Sequence, residues 1–255
     1  MEKCFAHSTY TAATITRAFR TELYILREKS PFNKRFHLPL RLKEYMKEPF
    51  WEETYKVMDY KTLGRPSPEI IQLTKTMPEN ANILDAGCGD GRNSLYFASN
   101  GFHVDAFDIS SNAINKIRKL AEINNLALSC KECSLQEFHF EKYYDLIISS
   151  GVYHFIDKNI AMEFIDKSKK HTKLNGYNFI VVFIDTLPIP EDLKDIAIGL
   201  YADHEIKDLY FDWETKFFKS YEFEDDHPGG IHHKHAANKY IGKKLTTASP
   251  LQVNK

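Results

Sequence analysis

The stretch Asp85-Ala86-Gly87-Cys88-Gly89-Asp90-Gly91 sets three glycines at alternate positions behind an acid. Glycines in that rhythm let the backbone turn sharply and leave bare main chain on which a ligand can lie, where a Cβ would collide. A helix opening at Arg92 would add backbone N–H donors and a partial positive charge. A second acid, Asp108, closes the next apolar run, where a carboxylate accepts hydrogen bonds from a ribose diol. The implied chemistry is the holding of a nucleoside. Dinucleotide sites want G-x-G-x-x-G, which would place glycine at position 92, and that residue is Arg92.

Other groups with chemical potential lie downstream. Ser149-Ser150-Gly151-Val152-Tyr153-His154 ends a later apolar run, at the sheet edge where open α/β folds bind ligands. His154 reads either as a general base or as a packed loop residue. In Ile231-His232-His233-Lys234-His235, His233 and His235 alternate, so on a strand they share a face opposite His232. With His154 they read as ligand-binding groups, as a metal site or as plain surface histidines, and no carboxylate partner is dictated for a metal. Cys130-Lys131-Glu132-Cys133 has C-x-x-C spacing. A zinc site would need two more ligands, so the expectation is a pair of reduced cysteines in or beside a strand, and no resident metal.

These groups need a scaffold, and the pattern supplies one. From Asn82 onward apolar strands alternate with amphipathic helices: Ile83–Ala86, Phe102–Phe107, Leu126–Cys133, Tyr144–Ser149 and Tyr177–Ile184 as strands, with Arg92–Asn100, Asn112–Ile123 and Asp157–Lys170 as helices. That order predicts a parallel sheet with helices on both faces. A helix is expected within Asp192–Tyr210. Trp213–Phe223 and Ile231–Lys243 then read as a hairpin around the turn-rich Glu224–Gly230. Residues 1–60 read as a helical extension carrying a cluster of Arg and Lys, 61–245 as the nucleoside-binding domain, and 246–255 as a flexible tail. Gly64-Arg65-Pro66-Ser67-Pro68 breaks the chain before a short helix to Thr76.

The bulk numbers restrict the functional class. Lys+Arg 34 against Asp+Glu 35 leaves a formal charge of −1, so no global basic excess points to nucleic acid. The longest apolar run, Tyr177–Ile184, is far short of the ~20 residues that span a bilayer. A soluble cytoplasmic protein without a membrane partner is the expectation; oligomeric state is not encoded in these patterns.

The D-x-G-x-G-x-G loop in this setting resembles the S-adenosylmethionine site of class I methyltransferases, whose plan is a Rossmann-like α/β fold: a mostly parallel seven-stranded sheet closed by an antiparallel C-terminal hairpin. Cys88-Gly89-Asp90-Gly91-Arg92-Asn93-Ser94-Leu95-Tyr96, Tyr144–Ser149, Leu174–Asn178 and Glu205-Ile206-Lys207 through Trp213-Glu214 are more specific. They resemble the tellurite-resistance methyltransferases and their thiopurine-methyltransferase relatives, a likeness covering about residues 50–245.

The resemblance implies cofactor contacts by Asp85, Gly87, Cys88, Gly89, Gly91, Asn93, Asp108 and Ser110. It places Ile109 and Leu135 on the two adenine faces, Ser134 where the group often has Asp, and Ser150 near the transferred methyl. Tyr55 and Arg65, in a lid, would meet the sulfonium and carboxylate ends. Catalytic or acceptor-orienting roles would fall to Tyr153, His154, His233 and His235, with Lys234 and Lys239 where the group carries arginine. The implied acceptor is a small soft nucleophile, a thiol or a chalcogen oxyanion such as tellurite or selenite, whose lone pair needs positioning more than a strong base. The alternatives are an RNA or protein methyltransferase docking through the basic N-terminal arm, and a non-catalytic cofactor-binding module.

Overall fold

A computed structural model describes residues 49–58, 64–191, 193–227 and 231–245. The helical reading of residues 1–48 and the tail from 246 lie outside the described residues. Among the described residues, helix α1 (Phe50–Tyr55) comes first.

Helix α2 (Pro68–Thr74) follows, and Ser67 stands at its N-cap position without a capping side-chain hydrogen bond. The alternating core comprises β1 (Asn82–Ala86), α3 (Arg92–Ser99), β2 (His103–Asp108), α4 (Ser111–Ile123), β3 (Leu128–Glu132), β4 (Tyr144–Ser150), α5 (Lys158–His171) and β5 (Thr172–Phe183). A short helix α6 (Glu205–Leu209) and the hairpin β6 (Glu214–His227) and β7 (Ile231–Lys243) complete it. Seven strands lie in the order β3-β2-β1-β4-β5-β7-β6. The first five are parallel, and β7 runs antiparallel to β5 and β6. The chain reverses its winding between β1 and β4, which creates a crevice at their carboxyl ends.

Alternation along the strands builds a core on each face of the sheet. Ile83 and Ile148 pack with Phe97 on the α2–α3 face, while Leu84 and Ile147 pack with Phe107 and Phe164 on the α5 face. A strand buried on both sides reads as a continuous apolar run. Helix α4 turns Ala113, Ile114, Ile117 and Ala121 inward, an i, i+1, i+4, i+8 stripe. Caps fix where these helices start: Ser110 Oγ accepts from Ala113 N at 3.1 Å, and Asp157 Oδ1 from Asn159 N at 2.9 Å. At the far end of α5 the Lys244 ammonium donates to the carbonyls of Lys169 and Thr172 at 2.7 and 2.8 Å, satisfying acceptors that a helix terminus leaves open.

Two sequence expectations shift. The hairpin ladder continues through Glu224↔Lys234 and Asp225↔His233 to His227↔Ile231, so Glu224–His227 is strand rather than turn. Opposite charges face each other across it, which favours pairing. The helix expected within Asp192–Tyr210 contracts to Glu205–Leu209, because the segment after Pro188 and Pro190 is tied down by other means: Gly199 N donates to His154 O at 3.0 Å and Asp185 N to Tyr201 O at 3.0 Å. Among the described residues no helix is long and apolar enough to cross a membrane.

Candidate functional site

The glycine loop spans the gap from β1 to α3 in left-handed backbone, with φ of 68° at Gly87 and 53° at Gly89. Gly87 N and Cys88 N both donate to Phe107 O, at 2.9 and 3.0 Å, which pins the loop to the end of β2. A Cβ on Gly87 would overlap the Val152 side chain, and one on Gly89 would stand 2.8 Å from the Tyr55 hydroxyl. Positive φ and close approach thus both demand glycine.

Asp108 closes the cradle. Its Oδ2 accepts from Gly89 N and its Oδ1 from Ser110 N, both at 2.9 Å. Burial pushes this carboxyl upward, and the two backbone N–H bonds oppose that. The next residue, Ile109, is 68% exposed, an apolar side chain left in the open at the edge where a base would lie. Leu135 is buried in the α5-face core. Ser134 spends its hydroxyl and N–H on Glu137 Oε2, at 3.1 and 3.2 Å. Ser110 is engaged as the α4 cap.

Asp85 is buried and accepts from Ser94 Oγ at 2.5 Å. Burial pushes its carboxyl up to about 6, against the pull of the Ser94 hydrogen bond and the Arg92 charge. Cys88 is buried too, and desolvation raises its thiol well above the usual range. Asn93 is buried with Oδ1 unpaired, an orphan acceptor of the kind that bound ligands satisfy. Tyr55 packs over the loop with its phenol raised by burial and by Asp108, and α1 is held to α4 by Asn112 Nδ2 on Glu52 Oε2 at 2.9 Å. Arg65 is exposed ahead of α2.

Two contacts at this loop are absent from the sequence reading. Lys116 Nζ, on α4, meets Asp90 Oδ2 at 3.2 Å with the two side chains only 2% and 6% exposed. Arg92 Nη2 donates to Ser150 Oγ at 3.1 Å, bridging the start of α3 and the end of β4. A lysine on the inward stripe of α4 was the one visible signal of the first; nothing local announces the second.

Beyond β4 the expectations separate. Tyr153 and His154 lie in a single 3₁₀ turn, Tyr153–Phe155. Tyr153 is buried in the α5-face core with Phe164, and desolvation raises its phenol. Its phenol is part of that packed core. His154 is fully buried, and its Nδ1 accepts from Phe183 N at 3.1 Å. Burial and the charge of His235 depress it to about 3, so the ring is neutral and its basic nitrogen is occupied. Its ring stacks on Phe183 at 3.8 Å, and Phe183 stacks on His235 at 4.3 Å. His233 stands 4.5 Å from His235, so the shared face of β7 holds. Cys130 and Cys133 carry free thiols. Among the described residues no group of three His, Cys, Asp or Glu could hold a metal ion.

The cradle fits a nucleoside: bared main chain, a carboxylate at its edge, an exposed apolar residue beyond it and an orphan acceptor beneath it. The family model of the tellurite resistance protein TehB matches residues 46–248. A probable S-adenosyl-L-methionine-dependent methyltransferase TehB of Haemophilus influenzae is 34% identical over 132 residues, 52% of this chain and 46% of that protein. The crystal structure of TehB from Haemophilus influenzae superposes with a TM-score of 0.63 at 27% identity, covering 70% of this chain and 62% of that one. The Burkholderia thailandensis 1,6-didemethyltoxoflavin-N1-methyltransferase, solved with its acceptor and S-adenosylhomocysteine, shares the fold at a TM-score of 0.59 and 17% identity, covering 85% of this chain and 95% of that one. The chain thus spans about half the length of the curated TehB relative it matches.

Proposed function

The chain belongs to the tellurite resistance protein TehB family, and from that premise we propose that it is a methyltransferase using S-adenosylmethionine, acting in the cytoplasm on a small soft nucleophile: a thiol or a chalcogen oxyanion such as tellurite or selenite. The observation that carries the proposal is the bared Gly87–Gly91 main chain with the Asp108 carboxylate bound to its edge. When bound, the cofactor supplies an electrophilic methyl on sulfur.

The remaining work belongs to the side chains. Asp108 takes the ribose hydroxyls, Ile109 packs on the base with Leu135 behind it, and Asn93 offers its orphan oxygen. Tyr55 covers the loop. His233 and His235, on one face of β7, orient the acceptor, and His154 acts indirectly by bracing Phe183, which His235 stacks upon. An acceptor that arrives ionised, as a thiolate or oxyanion, carries its lone pair without a base, its proton already lost to solvent, and the two titratable groups following β4 provide none: His154 is neutral with Nδ1 engaged, and Tyr153 is held protonated. Positioning for in-line attack is then the main contribution to the rate.

A tritiated-methyl transfer screen over small thiols, selenite, tellurite and bulk RNA tests the proposal, with Asp108→Ala as control. Label should appear on a thiol or chalcogen acceptor, and Asp108→Ala should weaken cofactor binding by about 1–3 kcal/mol through unpaired ribose hydroxyls. Label confined to RNA, or cofactor bound without transfer to any acceptor, would refute it.

A further inference from the structure

We infer that Glu52 on α1 is the residue that selects the charged cofactor, S-adenosylmethionine, over its demethylated product, an inference that rests on the S-adenosylmethionine reading above. Two contacts place Glu52. Its Oε2 accepts from Asn112 Nδ2, in the first turn of α4, at 2.9 Å. Asn112 lies two residues beyond Ser110, whose N–H donates to Asp108 Oδ1. Tyr55 stands three residues along α1, which puts it on the same helix face as Glu52. Its hydroxyl packs on Gly89, whose N–H donates to the other oxygen of Asp108. The Glu52 carboxylate is therefore held on the cradle side of α1, near the carboxylate that closes the loop.

This corner of the cradle holds negative charge without a counter-charge. Among the described residues, Glu52 and Asp108 are bonded by an amide and by two backbone N–H groups, with no ammonium or guanidinium among them. Burial raises the Asp108 carboxyl, and the Glu52 charge raises it further, as a like charge nearby does. Two such carboxylates in a partly shielded setting favour a ligand that brings positive charge. S-Adenosylmethionine brings a sulfonium. When the methyl leaves, the electron pair of the broken S–C bond stays on sulfur, the charge is gone, and the product loses that attraction. Glu53, the next residue, is differently placed: its side chain is 70% exposed and paired with Lys56 Nζ at 2.6 Å.

Calorimetry on the full chain with S-adenosylmethionine and S-adenosylhomocysteine gives the ratio of their affinities. The wild-type protein should bind S-adenosylmethionine about 10-fold more tightly at low salt, and the ratio should shrink as ionic strength rises. Glu52→Gln keeps an oxygen for the Asn112 hydrogen bond and removes the charge. It should weaken S-adenosylmethionine binding with little change for S-adenosylhomocysteine, cutting the ratio about 3- to 10-fold and flattening its salt dependence. Glu53→Gln should leave the ratio within about 1.5-fold of wild type. A wild-type ratio near one, or a ratio unchanged in Glu52→Gln, overturns the inference. So does an equal loss of both ligands, which would make Glu52 a structural support of α1, and so do equal shifts in Glu52→Gln and Glu53→Gln, which would assign the selectivity to the general charge of the molecule. Failure of the wild-type protein to bind either ligand would bring down the cofactor reading itself, and this inference with it.

Discussion

Replacing Lys116 by methionine tests how the glycine loop is held. The Lys116–Asp90 pair sits 3.2 Å apart with both side chains almost wholly shielded. At that separation and an effective dielectric of about 20 the attraction is about 5 kcal/mol, a gain largely offset by taking both charges out of water. Methionine keeps the apolar stem that packs in α4 but leaves the Asp90 carboxylate buried without its ammonium, which costs about 3–5 kcal/mol. In a domain of this size that lowers the melting temperature by roughly 6–20 °C. Urea unfolding should show the loss as a lower midpoint at unchanged slope. Lys116→Met combined with Asp90→Asn should recover at least half of it, because the uncompensated charge has gone. Since Asp90 lies inside the loop, the single variant should also weaken S-adenosylhomocysteine binding in calorimetry, and the double variant less so. A single-variant cost below about 1 kcal/mol would refute the argument, showing that Asp90 reaches water without Lys116.

Two further outcomes follow from the same geometry. Gly87→Ala should destabilise by about 1–3 kcal/mol from left-handed strain plus overlap with Val152. Adding Val152→Ala should relieve the overlap but not the strain, as a partial recovery in thermal melts, whereas no recovery would place the clash elsewhere. The pH dependence should have two limbs of opposite sign. His154 titrates at about 3 when folded against 6.5 as a free imidazole, so the unfolded chain binds the extra proton and stability falls with acidification through that window, by up to about 5 kcal/mol. Asp85 titrates at about 6 against 3.8, so the folded chain holds the extra proton, and its contribution declines as pH rises between those values, by about 3 kcal/mol. Denaturant unfolding from pH 3 to 8 should show the first limb vanish in His154→Gln and the second in Asp85→Asn; imidazole NMR showing His154 titrating near 6.5 would contradict its burial.

The parts of this fold that were legible in the sequence are those written in short-range pattern. Strands buried on both faces appear as apolar runs, and the loop from Asp85 to Gly91 announces its backbone because few residues other than glycine accept φ near 60°. Illegible parts depend on partners distant in sequence. Arg92 and Ser150 are 58 residues apart, and Lys116 and Asp90 are 26 apart; no periodicity couples such positions. The extra strand at Glu224–His227 required knowing that Lys234 and His233 lie opposite. Tyr153 and His154 show the same limit at close range: adjacent in one turn, they have different neighbours, Tyr153 meeting Phe164 and His154 stacking on Phe183.

The charges gathered at the loop also bear on which ligand the cradle favours. Asp85, Asp90 and Asp108 stand against Arg92 and Lys116, and Glu52 on α1 raises the Asp108 carboxyl further. One more acid than base, before Glu52 is counted, gives the cradle a negative field in a poorly solvated setting, where such fields act strongly. S-Adenosylmethionine carries a sulfonium and an ammonium against a single carboxylate, so its net positive charge suits that field, and transfer of the methyl leaves a neutral product that the field holds less well. The carboxylate is the one part of the ligand that this field repels.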